Sequence, residues 1–341
     1  MAITKNKIKK ALLVGANGQN SSYLAEFLLS KGYEVYGTIR RNSVPESQTT
    51  RIEKIHSKGQ IKLFYADLTD PISIETVIKN IQPDELYHLA AQSHVQISFE
   101  LPKYTLDVNA GGTLAVLEAV RRFSPHTKVY HAGTSEMFGN NKDADGFQRE
   151  TTKMSPVSPY GCSKLYAHTL CANYRNSYDM FICSGILFNH ESPRRGLNFV
   201  TNKIVHEAVK IKLGHSKKLV LGNLKSSRDW GHAKDYVQGM WLMLQKDKPE
   251  DYVLSTGETH TVEELVHFVF NYLNLDVKKY LATDKKYERP EELWYLKGDS
   301  SKARLELGWK PKYTFEKMII EMINHWLKVY NNQPVGKHQL V

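Results

Sequence analysis

The sequence predicts an α/β protein in which a doubly wound parallel sheet is followed by a smaller C-terminal lobe. Three observations lead there. Strand-like apolar runs alternate with helix-like segments through the first half, the first run ends in a glycine turn that opens a helix, and the alternation stops after Phe188. Strands that alternate with helices return by right-handed crossovers, which builds a parallel sheet covered by helices on both faces.

Ala11 to Val14 is the first strand. Ser21 to Ser30 has helical spacing through Leu24, Phe27 and Leu28, with Gly32 as its stop signal. Glu34 to Ile39 and Ile61 to Ala66 read as the second and third strands. Ile72 to Ile81 is helical, Glu85 to Ala90 extended, and Thr105 to Phe123 a single long amphipathic helix. Lys128 to Ala132 makes the fifth strand, Tyr160 to Tyr174 a helix, and Met180 to Leu187 the sixth strand. Beyond Phe188, Val200 to Leu213 and Val262 to Leu273 look helical, while Lys278 to Leu296 is rich in charge and tyrosine without clean periodicity. Residues 1–187 are expected to form the sheet domain. Residues 188–341 are expected to form mainly a lobe closing over its carboxyl edge, with some segments returning to the sheet.

Composition narrows the class. At 341 residues, with 41% hydrophobic and 24% charged, the chain is long enough for a full core, and disorder, collagen and coiled coil are excluded. The lysine-rich start MAITKNKIKK is followed by an apolar stretch that Gly15 cuts short. A signal peptide or a membrane span of about 20 residues needs more, so a cytoplasmic protein without a membrane partner is expected. Cys162, Cys171 and Cys183 lack Cys-x-x-Cys spacing, which argues against a disulfide framework or a zinc site. The net charge is +10, yet the basic clusters are short: Lys5 to Lys10, Arg40-Arg41, Lys217-Lys218 and Lys285-Lys286. No arginine-rich helix or aromatic RNA-binding motif accompanies them. The surplus reads first as a solvated surface and second as a pocket for phosphates, with no nucleic-acid partner.

The first turn reads Gly15-Ala16-Asn17-Gly18-Gln19-Asn20-Ser21. At the end of a first strand, Gly15 permits a tight turn and Gly18 lets the backbone approach a pyrophosphate at the positive end of the next helix. Ser21 stands where a third glycine would serve close packing. The second strand ends Thr38-Ile39-Arg40-Arg41, without the carboxylate that would hold the ribose hydroxyls of NAD about 20 residues past the glycines. Guanidinium groups there suit a 2′-phosphate, which favours NADP, with Arg40 as the contact. Asp67-Leu68 ends the third strand, and Leu89-Ala90-Ala91-Gln92-Ser93 the fourth, where small residues let a cofactor pass.

Tyr160 and Lys164 form a Tyr-x-x-x-Lys pair on one helix face. An ammonium beside the phenol is expected to lower its pKa and make it a usable base. The fifth strand ends Ala132-Gly133-Thr134-Ser135-Glu136. Thr134 offers a hydroxyl to share the proton Tyr160 removes, and Glu136 a carboxylate for a second proton made acidic by an adjacent ketone. The bland alternatives are a surface Tyr/Lys pair and a solvated loop acid.

Together with LFNHESPRR (Leu187 to Arg195) and RDWGHAKDY (Arg228 to Tyr236), these motifs resemble the extended short-chain dehydrogenase/reductases, a Rossmann-fold superfamily, and within it the GDP-mannose 4,6-dehydratase family. The resemblance runs from about Lys9 to about Lys328, and it implies a mechanism. Tyr160 with Thr134 takes the proton of the sugar 4-hydroxyl while hydride passes to NADP; Glu136 removes the C5 proton; water leaves from C6, and the hydride returns there. The carbohydrate changes, the cofactor does not, and the enzyme is a lyase. It also implies cofactor contacts at Leu89 to Ser93, Tyr104, Lys164, His190 and Arg195, beside Gly15, Asn17, Gly18, Gln19, Arg40, Asp67 and Leu68. Ser93, Glu136, Asn189, Glu191, Lys203, Asn223, Arg228, Arg289 and Glu292 stand where similar proteins hold GDP and sugar. Lys203, Arg228 and Arg289 suit a diphosphate, and Glu292 suits ribose hydroxyls.

The resemblance also implies an oligomer, since the family commonly forms tetramers in which the loop after the paired arginines reaches a neighbour, so a homo-oligomer, tetramer or dimer, is expected. Here that loop reads NSVPESQTTR, departing from the usual serine-rich pattern, and Asn20 and Ser21 replace the usual Asp and Gly. Three other readings stay open: the same dehydration on GDP-manno-heptose, a nucleotide-sugar 4-reductase or 4-epimerase, and a non-catalytic NADP-sensing or nucleic-acid-binding protein.

Overall fold

The computed structural model describes residues 8–41 and 49–332. The first half of the Lys5 to Lys10 run, and most of the Asn42 to Arg51 loop with its expected neighbour contact, lie outside the described residues. The central sheet has seven strands: β1 (Lys10–Val14), β2 (Glu34–Ile39), β3 (Ile61–Tyr65), β4 (Glu85–His88), β5 (Lys128–Ala132), β6 (Ile182–Leu187) and β7 (Tyr252–Leu254). The longer helices are α1 (Gln19–Ser30), α2 (Pro71–Ile81), α3 (Gly112–Phe123), α4 (Pro159–Tyr178), α5 (Val200–Lys212), α6 (Ala233–Leu244), α7 (Val262–Tyr272) and α8 (Phe315–Asn331).

The strand order is β7-β6-β5-β4-β1-β2-β3, and every neighbouring pair is parallel. The chain leaves β3 on one side of β1 and re-enters as β4 on the other. That reversal opens a crevice at the carboxyl ends of β1 and β4. Alternation along β1 divides the core: Ala11 and Leu13 pack with Leu24 and Leu28 of α1 and Met240 of α6, whereas Leu12 and Val14 pack with Ile78 of α2, Val116 of α3 and Cys171 of α4. Both faces are thus covered, as a parallel sheet requires.

The six expected strands fall within two residues of their expected limits. The seventh has only three residues, too few for a periodic signal, and pairs Leu254 with Leu187. With α6, which packs on α1, it is the segment that returns to the sheet. The expected long helix from Thr105 to Phe123 is corrected. The chain makes two short helices (Val95–Glu100 and Pro102–Leu106), a π turn at Asp107–Gly111 and then α3. The π turn carries Asn109, whose side chain accepts from Gln92 N at 2.9 Å and donates to Gln92 O and Ser163 Oγ at 3.0 Å. This link ties the end of β4 to α4.

Beyond β6, helices α5, α7 and α8 bury Ile204, Val205, Leu265, Val269, Ile319 and Ile323 in a separate core. Asp229 joins this part to the segment following β7. Its carboxylate accepts from Thr256 N (2.9 Å), Thr256 Oγ1 (2.7 Å), Gly257 N (2.9 Å) and Gly298 N (3.3 Å).

Candidate active site

All the candidate residues named from the sequence line one cavity of about 1600 Å³ at the carboxyl edge of the sheet. Its floor begins at the turn after β1. Gly15 has φ +89°, and a side chain there would meet Ala90 Cβ at 2.8 Å, so the turn sits hard against the end of β4. Gly18 is different: a Cβ would find its nearest atom at 3.4 Å, so the chain's own packing does not demand glycine there. Gly18 is the N-cap of α1 and gives no side-chain cap, and no acid lies in the first turn. The free N–H groups of that turn suit an anion. Ser21, in place of the third glycine, donates from Oγ to Gly15 O at 2.7 Å and closes the turn.

Along the same wall, Gln19 Nε2 donates to His190 O at 3.0 Å, and Arg40 is hydrogen-bonded to the Tyr104 hydroxyl. Asp67 Oδ1 accepts from Thr69 N and Oγ1 at 2.9 and 2.8 Å, fixing the loop after β3, and Leu68 is buried beside it. Leu89, Ala90, Ala91, Gln92 and Ser93 follow β4 directly. These residues together fit an extended anionic dinucleotide.

The reactive cluster stands over the ends of β5 and β6. Ser158 Oγ accepts from Gly161 N at 3.0 Å, and Pro159 occupies the first helical position, so α4 starts sharply enough to place Tyr160 in its first turn. Thr134 Oγ1 accepts from Glu136 N at 3.3 Å, and the Thr134 side chain lies beside the Tyr160 phenol, where it favours the ionised form. Lys164 Nζ donates to Ala132 O at 2.7 Å. The expectation that Lys164 depresses the phenol is corrected. Burial, helped by the Glu136 carboxylate, pushes Tyr160 up to about 12, against the opposing pull of the Thr134 side chain and the Arg195 guanidinium. Burial also brings the Lys164 ammonium down to about 8. Desolvation is the largest influence on both groups, and the charge effect on Tyr160 comes from Glu136 and Arg195 rather than from Lys164.

Across the cavity lie the charged groups. Glu136 Oε1 is 3.4 Å from Arg289 Nη1, and Oε2 is buried without a partner. Arg228 is buried, 3.7 Å from Glu292, and is brought down to about 10 by burial and by the neighbouring Arg289. Lys203 Nζ sits 4.0 Å over the Tyr287 ring. Arg195 pairs with Glu191 at 3.0 Å and lies 3.5 Å over the Phe199 ring; Glu191 also accepts from Thr201 at 2.6 Å. Asn223 accepts from Lys225 N at 2.8 Å, and Asn189 Oδ1 is buried without a partner. Two close cations with unpaired acceptors around them suit a diphosphate carrying hydroxyl groups.

Three contributors escaped the sequence reading. Asn109 has no motif of its own. Tyr287 lies in the Tyr-rich tract, which was the available signal. Arg51 Nη1 donates to Asn17 O at 3.2 Å and Nε to Arg194 O at 2.8 Å; a lone arginine at the end of a loop announces nothing.

The sheet, the turn and the Thr/Tyr/Lys cluster define an extended short-chain dehydrogenase/reductase. Comparisons narrow this. A profile of the GDP-mannose 4,6-dehydratase family matches residues 12–322. GDP-mannose 4,6 dehydratase 2 of Arabidopsis thaliana is 52% identical over 337 residues, covering 96% of this chain and 89% of that one. The human GDP-mannose 4,6 dehydratase is 45% identical over 349 residues, covering 95% and 93%. Among solved structures, the UDP-glucose 4-epimerase of Thermus thermophilus, in complex with NAD, has a TM-score of 0.80 at 25% identity, covering 93% of this chain and 98% of that one. The dTDP-glucose 4,6-dehydratase DesIV of Streptomyces venezuelae reaches 0.83 at 21% identity, covering 94% and 98%, and speaks for the fold alone. This chain belongs to the GDP-mannose 4,6-dehydratase family, and it is an enzyme, a nucleotide-sugar hydro-lyase.

Proposed function

We propose that this enzyme converts GDP-mannose into GDP-4-keto-6-deoxymannose and water, using a retained NADP. The observation that carries the reading is the Thr134–Tyr160 pair standing in one cavity with Glu136, whose Oε2 is buried and unpaired. A simple alcohol oxidation needs the first pair only; the added carboxylate supplies the second proton transfer that elimination requires.

NADP, when bound, supplies a hydride acceptor and then a hydride donor, so the cycle is redox-neutral. Tyr160 accepts the proton of the sugar 4-hydroxyl. The Thr134 side chain and Arg195 favour the ionised phenol against burial. Lys164, fixed by Ala132 O, holds a donor at the base of the cluster. Glu136 takes the proton from C5, acidified by the neighbouring ketone, and passes it to the departing C6 hydroxyl, which leaves as water. C5 later regains a proton exchanged with solvent, matching the one Tyr160 took from the 4-hydroxyl and gives up. Arg289 steadies one of its oxygens and leaves the other for chemistry. Lys203, Arg228 and Arg289 hold the diphosphate, and Glu292 the ribose hydroxyls.

The choice of NADP rests on Arg40 and on the absence of a carboxylate at the end of β2. The reading carries with it a cytoplasmic setting and a homo-oligomer. All three cysteines are unpaired, as a reducing compartment allows, and among the described residues no helix is long and apolar enough to cross a membrane. The test is incubation with GDP-mannose in deuterated water. The expected product carries one solvent deuterium at C5 and, at C6, the hydrogen that began at C4. Stoichiometric consumption of added NADPH would mark a reductase instead.

A further inference from the structure

The wall between α1 and the strand Asn189–Glu191 holds a hydrogen-bonded pair that the reaction above does not use. His190 Nδ1 lies 2.7 Å from Phe188 O. A carbonyl oxygen only accepts, so Nδ1 carries the hydrogen. Nε2 is then the bare nitrogen, and it lies 2.7 Å from Asn20 Nδ2, which donates to it. In this orientation Asn20 Oδ1 is left buried with no partner, on a side chain that lines the cavity. Turning the amide over would set a carbonyl oxygen against the imidazole lone pair, which is tolerable only if His190 is protonated.

Burial and the charged groups around the ring oppose that protonation, and only the Phe188 carbonyl favours it. Arg195 and His232 both disfavour charge on His190, and Tyr236 stacks on it with centroids 4.7 Å apart. The adjacent Glu191 is engaged by Thr201 and Arg195 instead. Burial, the largest influence, brings the imidazole down to about 3.

We infer that Asn20 is a positioning residue that locks His190 as its neutral Nδ1–H tautomer and keeps Oδ1 as an acceptor for a donor group of the bound dinucleotide. Arg195 is then the charged group of this pair of neighbours, and ligand binding here is independent of pH where histidine ordinarily titrates. The tautomer stands on the protein alone; the acceptor role rests on the dinucleotide reading above.

Nitrogen-15 NMR of the ligand-free protein, with His190 assigned by its loss in His190→Gln, reads the tautomer directly. The expected wild-type signal is a neutral ring protonated at Nδ1, unchanged from about pH 5.5 to 8. Titration near 6.5, or an Nε2–H tautomer, overturns the proposal whatever any variant does. Asn20→Asp offers Nε2 only acceptors, so His190 is expected to titrate inside that window, and NADP+ affinity, measured by calorimetry, to change by about tenfold between pH 6 and 8. In the wild type this ionisation is expected to be absent from the affinity profile. An Asn20→Asp protein whose His190 still does not titrate also overturns it. If NADP+ fails to bind at every pH while the wild-type tautomer is as stated, the dinucleotide reading falls and the lock on His190 stands.

Discussion

Glu136 divides its carboxylate: Oε1 reaches toward Arg289 Nη1 at 3.4 Å, and Oε2 is buried with nothing to bond. A buried carboxylate oxygen without a donor is costly in a finished core, so its place is beside a substrate. Glu136→Gln keeps the shape and removes the base. Turnover is expected to fall by about 10²- to 10⁴-fold, while oxidation at C4 leaves some bound NADPH detectable by absorbance. Full activity in this variant would overturn its assigned role.

Lys164 carries a stability cost that its removal should reveal. Its folded pKa, about 8, lies below the ordinary 10.5, so folding disfavours the charged form. The penalty is fully present below pH 8 and fades as pH rises from 8 to 10.5. By linkage it amounts to about 3 kcal/mol at neutral pH. Lys164→Met is therefore expected to unfold at higher denaturant than the wild type at pH 7, by part of that figure because the Ala132 O hydrogen bond is lost. The gap should narrow by pH 10, and turnover should collapse at every pH.

Arg40 is expected to choose the cofactor. Arg40→Ala should weaken NADP+ by about 10- to 100-fold, the worth of one or two charged hydrogen bonds, and leave NAD+ nearly unchanged. Arg41, whose guanidinium lies 5.6 Å over the Tyr65 ring, serves as the control, and Arg41→Ala should move both affinities little. Calorimetry with the two dinucleotides separates these outcomes. Equal losses for both would reject a 2′-phosphate contact.

Asp229 is a structural acid inside a motif that otherwise looks functional. Removing its carboxylate strands two backbone donors and one hydroxyl of the turn after β7, and the backbone donor of Gly298. Asp229→Ala is expected to cost about 3 kcal/mol or more in chemical denaturation. A change under about 1 kcal/mol would show that these donors find other partners.

Much of this was legible in the chain because the first six strands announce themselves. β1, β4, β5 and β6 lie inside the sheet with apolar runs bounded by turns, and the first turn's glycines mark the crevice. The charged half of the site was not legible from spacing. Glu136 and Arg289 stand 153 positions apart, and only folding brings them together. Asn109 hid within an expected helix because a π turn leaves no periodic trace. The Tyr160 expectation had the wrong sign because a sequence shows which charge is near but not how much water has been removed, and here desolvation dominates.

The seventh strand has a consequence for anyone dissecting the chain. Tyr252 to Leu254 hydrogen-bond along β6, and α6 covers α1 from the same late stretch of sequence. A fragment stopped at Leu187 would bare a ready template of unsatisfied amides and an oily layer above it, and should clump rather than bind nucleotide. The two parts keep distinct apolar cores, yet the late strand and α6 belong to the first one, and the chain is expected to fold as one piece.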